Sequence, residues 1–231
     1  MSNGTSEPNS QPQGNVSFDF NTFFNESKDT LLNPGTYFAT MKTTGGMVEP
    51  LIKAVIYGAV AGIFAFLWSL LKIGAVGGGM FGGAIGVMVF VWFLIAAVIG
   101  LFIGAVIILV ISAICKGSTD FESNVRVSAA VMVIMPVSAL LGFAGGISFY
   151  LGAVISFVVN LYALWLLYNG LTGALKTKVD TTKIVSYILI AIFALMMIGK
   201  IAALRKASQF MDGFKNKDLK EMMKELEKEN N

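Results

Sequence analysis

VSAAVMVIMPVSALLGFAGGISFYLGAVISFVVNLYALWLLYNGLTGAL, residues 127–175, runs for 49 residues without an Asp, Glu, Lys or Arg. One membrane crossing as a helix takes roughly 20 residues. The stretch is therefore long enough for two crossings joined by a turn, and Gly145–Ser148 supplies a turn signal. Working outward, three more uncharged blocks appear at 54–71, 73–115 and 184–199. The chain of 231 residues is 55% apolar and 13% charged, with a mean hydropathy of +0.73. Soluble domains are about 45–50% apolar and about 25% charged. These numbers predict an all-α, polytopic integral membrane protein with five transmembrane helices and amphipathic flanking segments.

The expected spans are about 51–71, 84–115, 127–147, 150–174 and 184–204, the third kinked at Pro136. Lys53 and Lys72 close the first span and are expected to reach for headgroups. Lys116 to Arg126 reads as a solvated polar loop containing Asp120 and Glu122, and Lys176, Lys178, Asp180 and Lys183 form the next loop. With the amino terminus inside, the inner short loops hold Lys116, Arg126, Lys176, Lys178 and Lys183, and the outer ones only Lys72. That distribution favours a cytoplasmic amino terminus. Lys200, Arg205 and Lys206, beside the membrane on the outer side, run against the same rule.

Residues 1–15 read as a disordered polar tail with no basic region leading into an apolar core, so no cleavable signal peptide is expected. The N-x-[ST] triplets at Asn3, Asn15 and Asn25 carry little weight in so Asn- and Ser-rich a segment. Residues 16–41 place Phe20, Phe23, Phe24 and Leu31 at helical spacings, interrupted by Pro34 and Gly35. Two readings stay open for that segment: a helix in the membrane interface, or one packed on the loops of the bundle. Residues 205–231 form a charged amphipathic tail in which Leu219, Met222, Met223 and Leu226 share a face. That tail reads as solvated or interfacial, with a docking helix as the alternative.

The composition excludes several chemistries. There is no histidine, and Cys115 is the one cysteine, so imidazole catalysis, a disulfide within the chain and a Cys-cluster zinc site are all out of reach. Cys115 reads as a buried, inert thiol. The net charge of +3 is small and dispersed, which gives nucleic-acid binding no support. Gly77, Gly79 and Gly82 satisfy G-x-G-x-x-G, but no strand–turn–helix unit surrounds them, so nucleotide binding is rejected and 74–86 reads as a flexible turn or a closely packed re-entrant backbone. The span interiors hold no ionisable residue with which to build a proton relay or an intramembrane protease. No catalytic, cofactor-binding or metal residue is assigned, and no cofactor is expected.

Small and weakly polar residues remain at depth. Gly58/Gly62, Gly100/Gly104 and Gly142/Gly146 are spaced for close helix packing. Asn160 is expected to bond to a neighbouring helix, with a pore or ligand contact as the sharper alternative. Trp165, Tyr162, Tyr168 and Tyr150 read as packing residues and interfacial anchors.

Four stretches together resemble a known family: LLNPGTYFATM (31–41), MVEPLIKAVIYG (47–58), DFESNVRVSAAVMVIMPVSALLG (120–142) and LYALWLLYNGLTGALKTK (161–178). The positions that carry the likeness are Leu32, Pro34, Phe38, Pro50, Phe121, Arg126, Pro136, Trp165 and Gly170. The chain resembles the prokaryotic branch of the Yip family, small five-span proteins named for interaction with Ypt/Rab GTPases, over about residues 16–204. The resemblance implies a five-helix membrane domain with a cytosolic amino terminus, here in a bacterial or archaeal plasma membrane. The Asp-Leu-Tyr-Gly-Pro motif of eukaryotic members is absent, as is the Gly-Tyr pairing of their central loop, so GTPase binding is not carried over. The expected role is that of a non-catalytic membrane-organising or interaction protein, its partner a membrane protein or a second copy of itself. The alternative is a channel or carrier for a neutral or lipophilic solute.

Overall fold

The computed structural model describes residues 19–71, 73, 82–199 and 201–203, with only the backbone path for 82–86 and 89. The tails, most of the 74–86 turn and Lys72 lie outside the described residues.

Two short helices precede the spans, α1 (Phe20–Leu32) and α2 (Pro34–Thr40). Asp19 caps α1, accepting from the Asn21 amide at 3.0 Å and the Thr22 hydroxyl at 2.6 Å. Pro34 ends α1, because a residue before proline is pushed out of helical geometry, and it then starts α2 at the first helical position. The spans follow as α3 (Val48–Leu70), α4 (Gly82–Ile114), a broken third span (Phe121–Ile147), α8 (Phe149–Asn169) running on through a π turn (Gly170–Ala174), and α9 (Val179–Ala203). The third span comprises α5 (Phe121–Val131), α6 (Ile134–Leu140), a 3₁₀ turn (Leu141–Phe143) and α7 (Ala144–Ile147). All five are long and apolar enough to cross a membrane. The protein is an all-helical, integral membrane protein with five spans.

Several expected limits move. The third span starts at Phe121, six residues before the uncharged run, because Asp120 caps it, accepting from the Ser123 amide at 2.8 Å and hydroxyl at 2.7 Å. The fifth starts at Val179 instead of 184, and the expected loop shrinks to 175–178. There Thr182, fully buried, donates to the Lys178 carbonyl at 2.8 Å and shares a hydrogen bond of 2.7 Å with the Thr177 hydroxyl, closing the first turn. The kink lies at Met132–Val133, a turn ahead of Pro136. Proline has no amide for the Met132 carbonyl and its ring crowds it, so that carbonyl accepts from Met135 at 2.9 Å instead.

Alternating spans bring α1, α2 and the loops at 41–47, 115–120 and 175–178 to one end, called the proximal end. Two of these loops are braced together, Ser118 donating to the Leu175 carbonyl at 2.8 Å and Lys178 to that of Cys115 at 2.9 Å. Much of the core sits here: Phe38, Cys115, Val127, Leu166 and Leu175 are fully buried in one cluster. The burial expected of Cys115 is found.

The small-residue pairs behave unequally. A Cβ on Gly58 would lie 2.5 Å from that of Ala97, and one on Gly62 3.3 Å from the Phe90 carbonyl, so α3 and α4 approach backbone to backbone there. Gly100 has open space beside it, and Gly104 faces the Ser128 hydroxyl, which donates to the Leu101 carbonyl at 2.9 Å and ties α5 to α4. At Gly142 a Cβ would meet only Trp68, at 3.9 Å.

Candidate functional site: charges buried under the amino-terminal helices

The sequence puts Glu49 and Lys53 one turn apart at the start of α3, and Glu122 and Arg126 one turn apart at the start of α5. Helical geometry makes each an i, i+4 neighbour pair. Packing α3 against α5 then joins the two pairs. Lys53 Nζ lies 2.7 Å from Glu49 Oε1, Arg126 Nη1 lies 3.0 Å from Glu49 Oε2, and Arg126 Nε lies 3.1 Å from Glu122 Oε1. Glu49 thus bridges both cations. α1 adds a third carboxylate, Glu26, whose Oε2 sits 2.6 Å from Lys53 Nζ. Lys53 is 8% exposed and Arg126 6%.

The loop before α3 wraps the guanidinium. Arg126 Nη2 donates to the Gly46 carbonyl at 2.9 Å, and the Gly46 amide donates to Glu122 Oε1 at 2.6 Å. Gly45 and Gly46 have φ of +126° and +92°, and a Cβ on Gly45 would stand 2.9 Å from Arg126 Nη2. Only glycine allows the chain to pass so close in that conformation.

The five charged groups, three carboxylates and two cations, carry a net charge of −1. Charges this buried are tolerable because each cation meets two carboxylates and Arg126 also meets a carbonyl. Beside them lies a cavity of about 460 Å³, walled by α1, α2 and α3, with Asp19, Asp29 and Lys42 adding further charge. Burial pushes the phenol of Tyr37, also on this wall, above its ordinary value, against the opposing pull of Lys53. The hydrogen bonds from Thr22 and the Asn21 amide hold Asp19 below the usual carboxylate range.

Further contacts fasten α1. Ser27 and Tyr57 share a hydrogen bond of 2.7 Å, the Phe23 and Tyr57 rings lie 5.2 Å apart, and Tyr162 donates its hydroxyl proton to the Leu31 carbonyl. Of the face expected on this helix, Phe23 and Leu31 pack inward, while Phe20 and Phe24 are each 69% exposed. The face splits because Phe24 is about 100° round the helix from Phe23. The helix packs on the bundle, and it also displays aromatic rings outward.

Three expectations need correction. Lys53 does not reach for headgroups; α1 covers it and supplies the carboxylate that it binds. Glu122 and Arg126 are not a solvated loop, although Lys116 is exposed as that reading expects. Asn160 bonds within its own helix, to the Ser156 carbonyl at 2.7 Å, instead of to a neighbour. The i, i+4 spacings of Glu49 with Lys53 and Glu122 with Arg126 were the available signal for the cluster. Nothing local pointed to Glu26.

Pro34, Phe38, Pro50, Arg126 and Gly170, among the positions behind the family resemblance, meet at the same end. Pro34, Phe38 and Pro50 are fully buried, and a Cβ on Gly170 would lie 2.7 Å from Val127 and 3.4 Å from the Phe38 ring, so α2 seats on the π turn. Arg126 anchors the charge cluster. Leu32 and Trp165, 65% and 47% exposed, lie on the outer surface instead. No curated protein and no solved structure matches the chain. The profile of the Yip1 domain matches residues 28–203, a stretch that contains the seated α2, the charge-bearing starts of α3 and α5, and all five spans. With three quarters of its length matched by that profile, the chain belongs to the Yip1 domain family.

Proposed function

We propose that this protein is a non-catalytic organising or interaction component of a prokaryotic plasma membrane, with its amino terminus and proximal end in the cytoplasm. The observation that carries the reading is the α1–α2 cap. It is fastened to the spans through Lys53, Tyr57 and Tyr162, and it turns Phe24 and Leu32, 69% and 65% exposed, away from them. A helix fixed by buried ion pairs with aromatic side chains outward is a preorganised contact surface, since little ordering remains to be done on binding. Every Lys and Arg among the described residues lies at the proximal end, which supports the cytoplasmic placement. The cations of the cluster are taken up by carboxylates of the same chain, so the cluster acts as a clasp, and GTPase recognition finds no motif here.

The test is a photocrosslinking residue placed at Phe24 in native membranes, followed by purification in mild detergent and mass spectrometry. One recurrent protein, or a second copy of the chain, crosslinked at near-unit stoichiometry is the expected result. A lone monomer that conducts a specific solute in liposomes would overturn the reading.

A further inference from the structure

At the proximal end the loops 115–120 and 175–178 form one braced surface. Beyond the two backbone bonds that tie them, a Cβ on Gly117 would lie 2.4 Å from the Thr177 methyl and 2.8 Å from the Leu175 carbonyl, so the chains touch there. Ser112 fixes the first loop from within, donating its hydroxyl to the Ser118 carbonyl at 2.7 Å. Lys116, Lys176 and Lys178 on these loops, and Lys183 one turn into α9, are all exposed. Among the described residues, none of the four makes an ion pair. Asp120 and Asp180 share the surface, Asp120 with its carboxylate already on Ser123, and the six charges sum to +2.

Two of these lysines are held in a strained conformation. Lys116 and Lys176 each follow the C-terminus of a span with φ of +58° and +54°, and no other non-glycine residue among the described ones is left-handed. The Lys116 and Gly117 amides donate back to the Ala113 and Ser112 carbonyls at 3.1 and 2.8 Å, the pattern that closes a helix through a left-handed residue. Glycine normally fills that position, because a Cβ there crowds the following carbonyl. Gly117, one residue on, is not left-handed, so the lysine and not its glycine neighbour takes the strained place. Such strain persists where the side chain has a task. A cation at the negative end of a helix is the competing reason for a lysine there, and substitution by glycine separates the two.

Aliphatic side chains border the charges: Ile114, Val179 and Ile184 are exposed beside Lys116, Lys178 and Lys183. Exposed aliphatics on the spans meet hydrocarbon, so the lysines that border them stand at headgroup depth. We propose that this surface binds the phosphodiester headgroup of an anionic phospholipid, its acyl chains against Ile114 and Ile184. Lysines without partners attract its net negative charge, each strengthening binding about five-fold near the surface. They repel the choline or ethanolamine cation of a zwitterionic lipid. A free phosphate would use the charges but not the aliphatic border. The assignment needs only that the proximal end meets a headgroup layer, in either leaflet.

The experiment is native mass spectrometry of the full chain in mild detergent, titrated with phosphatidylglycerol or phosphatidylcholine, alongside melting temperatures. Phosphatidylglycerol is expected to bind tighter by about ten-fold or more. Lys116→Gly and Lys176→Gly remove the side chains and relieve the backbone. Each should weaken phosphatidylglycerol binding about five-fold while the melting temperature holds or rises. Lys28→Gln, which removes an exposed lysine from α1, should leave binding unchanged. Equal binding of the two lipids, or a loss in Lys28→Gln as large as in Lys116→Gly, would overturn the assignment, since overall charge would then suffice. So would displacement of phosphatidylglycerol by inorganic phosphate but not by chloride at equal ionic strength, which marks a free-anion site. Glycine variants that melt lower yet bind phosphatidylglycerol as the wild type does would give the strained lysines to the helix ends instead.

Discussion

Lys53 Nζ sits 2.6 Å from Glu26 Oε2, and this pair joins α1 to the first membrane span. The lysine is nearly inaccessible, and its removal leaves Glu26, 35% exposed at its side chain, unpaired and Glu49 with Arg126 alone. Lys53→Met is therefore expected to cost about 1–3 kcal/mol, with Lys53→Met/Glu26→Gln recovering part of it. Thermal unfolding of the four proteins of this double-mutant cycle, in one detergent, measures the coupling. Additive effects would show that the pair does not hold the cap.

Arg126 makes three directed contacts, to Glu49, Glu122 and the Gly46 carbonyl. An ammonium reproduces the charge but not that fork. Arg126→Lys should therefore destabilise by about 1–3 kcal/mol, and Arg126→Ala by more. If the lysine variant melts at the wild-type temperature, charge alone is at work and the wrapping of the 45–46 loop is incidental.

Gly58 faces Ala97 at a distance that leaves no room for a Cβ. Gly58→Leu must part α3 from α4 and is expected to cost about 1–3 kcal/mol, as overpacking does. Gly100→Ala, with open space beside it, should be silent or mildly stabilising, because it removes a flexible residue from a helix. Unfolding midpoints of the two variants rank the positions, and equal losses would mean that the spacing alone, and not the approach of the backbones, matters.

Asp120 caps α5, and its hydrogen bonds from Ser123 hold its carboxyl below the ordinary value of 3.8. A carboxylate depressed in the folded state stabilises above its unfolded pKa and loses that contribution as pH falls through the folded one. Thermal stability should thus decline on acidification below about pH 4, and Asp120→Asn should remove this part of the decline while keeping a cap. A wild-type decline fully retained in Asp120→Asn would assign it to other carboxylates.

Cys115 is fully buried in the proximal core beside Phe38 and Leu175. It should resist maleimide in the wild type and react several-fold faster in Lys53→Met, where the cap above that core is loosened. Identical labelling rates would show that the cap and this core do not move together.

The five spans were legible because a long uncharged run fills most of each of them. A run such as 127–175 has few ways to meet water other than to avoid it. Their ends were less so. Glu122 and Arg126 looked like loop residues because their partners, Glu49 and Gly46, lie more than 70 residues away and meet them only after α3 and α5 pack. Lys53 beside an apolar run has the signature of a residue that reaches for headgroups, and nothing within one turn discloses that Glu26 will cover it. Asn160 illustrates the reverse case: its local bond to Ser156 was available from spacing alone, yet a polar residue at depth invites a long-range partner. Seating α2 needed Gly170 and Phe38, 132 positions apart, to meet, which no local pattern encodes.

The most direct measurement is hydrogen–deuterium exchange of the protein in lipid nanodiscs, comparing wild type with Lys53→Met. The clasp predicts slow exchange across 21–40 in the wild type and fast exchange there in the variant, with α8 unchanged in both. Fast exchange across 21–40 in the wild type, or protection there that survives the loss of Lys53, would contradict it.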